Sequence, residues 1–90
     1  MQQHIHAYYS GQVQGIGFRF TVRGIAQELR VGGWVRNMPD GRVEVVAQTD
    51  ARTLKDFLDK IYACFSRHIQ EVDVQQLAAE GSYQDFEIRF

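Results

Sequence analysis

The sequence predicts an α+β fold of the ferredoxin-like sandwich type, an antiparallel sheet of four to five strands with two helices on one face. Two observations carry this. The hydrophobic period switches between two and about 3.6 along the chain, in the order strand, helix, strand, strand, helix, strand, with a short terminal strand. Each half is therefore a split βαβ unit, and the packing that buries two helical stripes at once lays both helices on one face of one sheet. Many activities share such a fold, so function has to be read from particular residues.

The elements follow in order. Residues 4–10 alternate, with Ile5, Ala7 and Tyr9 on one face and His4, His6, Tyr8 and Ser10 on the other, as a half-buried strand does. Residues 11–17 contain Gly11, Gly15 and Gly17, too many glycines for a regular element, and form a loop. From Phe20 the period turns helical through Val22, Ile25, Ala26 and Leu29, with Gly32-Gly33 as the stop. Gly24 weakens this helix by roughly 1 kcal/mol relative to alanine. Residues 34–37 and 42–48 pair as strands across Met38-Pro39-Asp40-Gly41, a sequence suited to a type I turn, with proline second and glycine fourth. Thr49 or Asp50 caps a second helix whose apolar stripe is Leu54, Phe57, Leu58, Ile61, Tyr62 and Phe65. Ile69, Val72, Val74 and Leu77 mark a strand with interrupted alternation, Gly81-Ser82 a turn, and Phe86, Ile88 and Phe90 a closing strand.

Ninety residues suffice for one domain, 1–90, and are too few for two. A domain of this size buries only about 60–65% of the surface its unfolded chain exposes, so the core must be continuous. Ten basic and eleven acidic residues give a net charge of −1, so no global field invites nucleic acid or an anionic membrane. Any anion site must therefore be local. Cys64 is the single cysteine, which excludes an internal disulfide and a cysteine-built zinc site and fits a reducing compartment. The opening residues lack the charged-then-apolar pattern of a secretion signal. No apolar run approaches the roughly 18 residues that cross a bilayer. These features predict a cytoplasmic protein that acts as a monomer.

The stretch Gly11–Arg19 joins a strand end to a helix start. Glycines there let successive backbone N–H groups turn into one concavity, an anion-binding nest, and the helix that follows adds unpaired N–H groups and the positive end of its dipole. Arg19 stands at the helix entrance, where its planar fork matches phosphate oxygens bidentately. A plain connecting loop with a solvated arginine accounts for the same residues about as well. Asn37 shares strand parity with Val35 near a strand end, where a buried amide needs a partner that substrate or water can supply. A turn-initiating asparagine ahead of Pro39-Asp40-Gly41 is the competing reading.

The run Ser10-Gly-Gln-Val-Gln-Gly-Ile-Gly-Phe-Arg19, then Ala26 and Leu29, then Gly33-Trp-Val-Arg-Asn37 and Asp40-Gly41, resembles the acylphosphatase family. The shared pattern is a Val-Gln-Gly-Val-x-Phe-Arg loop followed by Gly-Trp-Val-x-Asn-x-x-Asp-Gly, and the closing Phe86-Glu-Ile-Arg-Phe90 is similar to the family's last strand. Two long motifs at the right separation are a specific signal, and the likeness covers essentially the whole chain. It implies hydrolysis of a small acyl phosphate to a carboxylate and inorganic phosphate, without metal or cofactor. It also implies that Arg19 holds the phosphate, that Asn37 positions the attacking water, and that Gln14, Gly15, Ile16, Gly17 and Phe18 supply backbone donors. One departure stands out. Phe65-Ser66-Arg67-His68 replaces the family's usual Gly-Pro turn, which leaves the route into the next strand open. Gly17, where many members carry a larger residue, loosens the loop.

The remaining candidates read blandly. His4 and His6 share a strand face but lack a third metal ligand nearby, His68 is solvated, Cys64 packs beside Phe65, and Arg23 is an exposed charge or a secondary electrostatic aid. Trp34 is expected in the core or as a wall beside Asn37. Two other functions are compatible with the fold. One is a module that recognises a carbamoyl- or acyl-phosphate group within a larger hydrogenase-maturation-type carbamoyltransferase; the lack of zinc-finger cysteines argues for a free-standing enzyme instead. The other is an RNA-binding sheet, whose aromatic strand motif is missing.

Overall fold

A computed structural model describes residues 2–78 and 83–90 of the chain. The elements are β1 (Gln2–Gly11), α1 (Phe18–Leu29), β2 (Gly32–Asn37), β3 (Val43–Asp50), α2 (Ala51–Phe65), β4 (Ile69–Leu77) and β5 (Phe86–Arg89). The strands form one sheet in the order β4-β1-β3-β2-β5. From β4 to β2 every pairing is antiparallel, whereas β5 runs parallel to β2, so the sheet is mixed. The register explains this. Leu77 at the end of β4 and Gly32 at the start of β2 lie in one row of residues with His4 and Gln48. A strand that sets out from that end of the sheet along the free edge of β2 must run with it. The expected Gly81-Ser82 turn lies outside the described residues.

The core lies between the sheet and both helices. Ile5, Ala7 and Tyr9 of β1, Val35 of β2 and Val43, Val45 and Ala47 of β3 meet Phe18, Val22 and Ala26 of α1 and Leu54, Phe57, Ile61 and Phe65 of α2. Among the described residues no helix is long and apolar enough to cross a membrane. The interrupted alternation of β4 comes from a register shift at Ser10/Gly11, where Gly11 pairs with Ile69 and Ser10 with Glu71. That irregularity lets both Ile69 and Val72 pack on the core.

Asp50, and not Thr49, caps α2: its carboxylate accepts from the Thr53 backbone N–H and from the Thr53 hydroxyl, each at 2.9 Å. The buried stripe of α2 is narrower than its sequence suggests. Leu54, Phe57, Ile61 and Phe65 face the core, while Tyr62 is 53% exposed and Cys64 is exposed on the stripe's flank. The expectation that Cys64 packs beside Phe65 is therefore corrected.

Gly32-Gly33 does not stop α1. Arg30 does, in a left-handed conformation (φ 59°), and the N–H of Val31 then bonds the carbonyl of Ala26 at 2.8 Å. Both glycines belong to β2, where neighbouring backbone leaves no room for a side chain. A Cβ on Gly32 would lie 2.1 Å from the Tyr83 carbonyl oxygen, and one on Gly33 (φ 143°) 1.9 Å from that of Val46. Gly33→Ala should therefore cost about 3 kcal/mol or more, through a clash with rigid backbone and an unsuitable φ. Thermal melting against wild type measures it, and an unshifted midpoint would mean that β2 yields freely there.

Candidate active site

β1 leaves the sheet at Gly11 (φ 122°), and the N–H of Gln12 bonds the carbonyl of His68 at 2.9 Å. His68 closes a short turn after α2 through its own N–H, which bonds the Phe65 carbonyl at 2.8 Å. Ser66-Arg67-His68 thus supplies the carbonyl that anchors the base of the glycine-rich loop, and a Cβ at Gly11 would sit 2.3 Å from it. Val13, fully buried, ties the loop to the core.

Gln14 has a structural task. Its side-chain amide donates to the carbonyls of Met38 at 2.8 Å and Arg42 at 3.0 Å, pinning the loop to the β2–β3 turn. The turn is closed by the Gly41 N–H on the Met38 carbonyl and the Met38 N–H on the Arg42 carbonyl. Asp40 accepts from the backbone N–H and the side-chain Nε of Arg42, and these bonds hold its carboxyl below the usual range. One side chain thereby couples the loop to the strand end that carries Asn37.

Gly15 (φ 79°) and Gly17 (φ 81°) are left-handed, and a Cβ on either would meet nothing within 4 Å. Backbone conformation, not crowding, favours glycine at both positions. Ile16 sits between them, exposed. Gly17 occupies the N-cap position of α1 and provides no side-chain cap; the first intrahelical bond runs from the Thr21 N–H to the Gly17 carbonyl at 3.0 Å. The N–H groups of Phe18, Arg19 and Phe20 therefore precede the intrahelical ladder and lie at the positive end of the helix dipole. The Phe18 ring is buried against Tyr9 and Phe65, with centroids 5.2 and 4.7 Å away, and fixes the helix start on the core. Burial also pushes the Tyr9 phenol well above its ordinary pKa.

The Arg19 guanidinium lies over the Phe90 ring, 5.0 Å from its centroid, and pairs with no carboxylate among the described residues. Asn37 is the last residue of β2, opposite Val43 and on the core side with Val35. Its Oδ1 is buried and has no hydrogen-bond partner among the described residues. Arg19 and Asn37 meet at one cavity of about 220 Å³, whose wall consists of Val13, Gly15, Gly17, Phe18, Arg19, Phe20 and Asn37. Of the loop residues expected to cradle an anion, Gly15, Gly17 and Phe18 line this cavity; Gln14 and Ile16 do not. Val13 and Phe20 line it without having been singled out by sequence. The available signal for Phe20 was its place outside the Val22, Ile25, Ala26 and Leu29 stripe.

Trp34 is on the other face of the sheet. It is neither core nor a wall beside Asn37, because adjacent strand residues point to opposite faces and Trp34 shares parity with Arg36. It stands there with Arg36 and Arg89 over its ring, at 5.6 and 4.7 Å. On the same face the buried Glu44 accepts from His6 and, at 2.5 Å, from Arg36. Burial alone would raise the Glu44 carboxyl, but the hydrogen bonds from Arg36 and His6 outweigh it and hold the group below its usual range. His6 is thus committed to a carboxylate, and His4 Nδ1 lies 3.2 Å from the Ala78 carbonyl. Among the described residues no three His, Cys, Asp or Glu side chains are grouped as metal ligands.

Backbone donors at a helix N-terminus and, beside them, a guanidinium with no carboxylate partner among the described residues suit a tetrahedral oxyanion, whereas the Asn37 oxygen, an acceptor, suits a donor such as water. The family model described as Acylphosphatase matches residues 5–88. An acylphosphatase of Methanospirillum hungatei is 45% identical over 82 residues, covering 89% of this chain and 89% of that relative. The structure of the acylphosphatase from Bacillus subtilis aligns with a TM-score of 0.87 at 27% identity, covering 100% of both chains. That of an acylphosphatase from Coxiella burnetii aligns with a TM-score of 0.85 at 31% identity, covering 98% of this chain and 93% of the other.

Proposed function

This chain belongs to the acylphosphatase family, and from that premise we propose which of its residues carry the hydrolysis. The reaction cleaves the carboxyl–phosphate bond of a small acyl phosphate and yields a carboxylate and inorganic phosphate. Arg19 clamps two phosphate oxygens through its planar fork, and the backbone N–H groups of the loop through Phe18 and Arg19 receive the rest of the charge. Asn37 Oδ1 accepts a hydrogen bond from the attacking water and sets its line of approach. A neutral amide does not take up a proton near pH 7, so the water's proton passes to a phosphate oxygen.

The observation that carries this reading is the orphaned Asn37 Oδ1. A buried acceptor left unpaired costs about 1–3 kcal/mol. A native site carries such a cost where a ligand supplies the missing donor, and here the acceptor shares a cavity wall with Arg19 and the helix N-terminus. The leaving group needs no acid, because a carboxylic acid has a pKa of about 4. Phosphoryl transfer otherwise demands positioning and charge stabilisation, which an arginine and fixed N–H donors provide in place of a divalent cation. The continuous core shared by both halves of the chain supports its reading as one domain.

Purified protein should therefore release phosphate from benzoyl and acetyl phosphate at an undiminished rate in excess EDTA. Loss of turnover in chelator, restored by Mg²⁺ or Zn²⁺, would exclude the metal-free mechanism. Binding of phosphate without any turnover of either substrate would point instead to a recognition module of a larger carbamoyltransferase.

A further inference from the structure

We propose that Phe20 forms the subsite for the acyl group, so that this enzyme favours acyl phosphates with aromatic or bulky apolar acyl groups; the proposal rests on Arg19 and the loop holding the phosphate. Phe20 is 58% exposed, although burying such a ring gains about 1.5–3 kcal/mol. The core stripe of α1 is Phe18, Val22 and Ala26. Phe20, two residues on from Phe18, is turned by roughly 200° from it at 3.6 residues per turn, and its ring serves no part of the core. A stray apolar residue on a surface would need no explanation. This one is in the cavity wall, next in sequence to Arg19.

The chemistry of the substrate directs the acyl group there. In an acyl phosphate the carbonyl carbon is bonded to the bridging phosphate oxygen, so a phosphate seated on the loop and Arg19 carries its acyl group only as far as the cavity rim. Of the three large apolar side chains in the wall, Val13 and Phe18 are buried in the core, and Phe20 alone offers open surface. Ile16 is exposed too but lies outside the wall. Arg23, one turn further along α1, places its guanidinium 5.5 Å from the centroid of the Phe20 ring and steadies the ring by a cation–π contact. An aromatic acyl group can stack on such a ring; an acetyl group is too small to use it.

The test compares kcat/KM for benzoyl and acetyl phosphate in wild type, Phe20→Ala and Phe20→Leu, with the Ki of inorganic phosphate measured on each. Aromatic contacts contribute enough that Phe20→Ala should lower the benzoyl-to-acetyl ratio about 2- to 12-fold, with Phe20→Leu in between. The Ki of phosphate should not follow that ratio. An identical ratio in all three proteins overturns the acyl subsite while leaving the phosphate site standing. A wild type that hydrolyses both substrates but is not inhibited competitively by phosphate strikes at the phosphate reading instead. Melting curves guard against misfolding, and Phe20→Leu, which keeps an apolar side chain, reads the ratio if the alanine variant unfolds.

Discussion

Arg19→Ala should lower turnover of benzoyl phosphate by about 10³–10⁵-fold, the range over which an arginine acts in phosphoryl transfer, while the protein stays folded. The structure makes both halves of this expectation specific. The Arg19 guanidinium has no carboxylate partner among the described residues, and it lies over the Phe90 ring. Removing it leaves no buried charge unpaired, so the melting temperature should move little. What is lost is the planar fork at the mouth of the helix N-terminus, the element proposed above to meet phosphate oxygens in both ground state and transition state. The Ki of inorganic phosphate should rise along with the loss of kcat. Arg19→Lys should recover little, since an ammonium is a point charge and lacks the paired N–H geometry. A lysine variant with near wild-type kcat and Ki would reduce Arg19 to a general electrostatic aid.

Asn37→Ala should behave differently: kcat falls about 10²–10³-fold, as for loss of one preorganised hydrogen-bonding group at a reacting centre, while the Ki of phosphate changes little. An amide that orients only the attacking water acts on the transition state, and kinetics separate such a group from one that binds substrate. Stability gives a second, independent readout. The β2–β3 turn is held by bonds among Met38, Asp40, Gly41 and Arg42 and by the Gln14 amide, none of which uses the Asn37 Oδ1. Deleting that acceptor removes an unsatisfied buried oxygen, so the melting temperature should hold or rise, the usual exchange between stability and activity at a site. Asn37→Asp should not restore turnover, because a carboxylate facing a phosphate adds repulsion that offsets its greater basicity. If Asn37→Ala lowers the melting temperature and leaves turnover per folded molecule unchanged, Asn37 is a turn residue and the water-positioning role is wrong.

Whatever depends on neighbours within a few residues was legible in the sequence. The alternation of Ile5, Ala7 and Tyr9, the stripe Leu54, Phe57, Leu58, Ile61, Tyr62 and Phe65 (of which the fold leaves Tyr62 exposed), the Met38–Gly41 turn and the left-handed glycines of the loop all follow from local period and local φ preference. That Arg19 and Asn37 come to one cavity was legible too, through the resemblance of two motifs, because each motif keeps its residue at a fixed place on its own element. Contacts between distant segments could not be read that way. Gly32-Gly33 looked like a helix stop, and only the carbonyls of Tyr83 and Val46 show why no side chain fits there. Gln14 was expected to offer its backbone N–H, and only the position of the β2–β3 turn shows that its side-chain amide is a brace. The parallel entry of β5 depends on which end of the sheet β4 reaches, and the exposure of Cys64 on how much of α2 the sheet covers. The orphaned oxygen of Asn37 and the open ring of Phe20 likewise became visible only once β1, α1 and β2 met at one cavity. Sequence determines which backbone conformations and faces are available to each element; tertiary structure decides which atoms from other elements fill the space around them, and the chemistry of the site depends on the atoms left unpaired there.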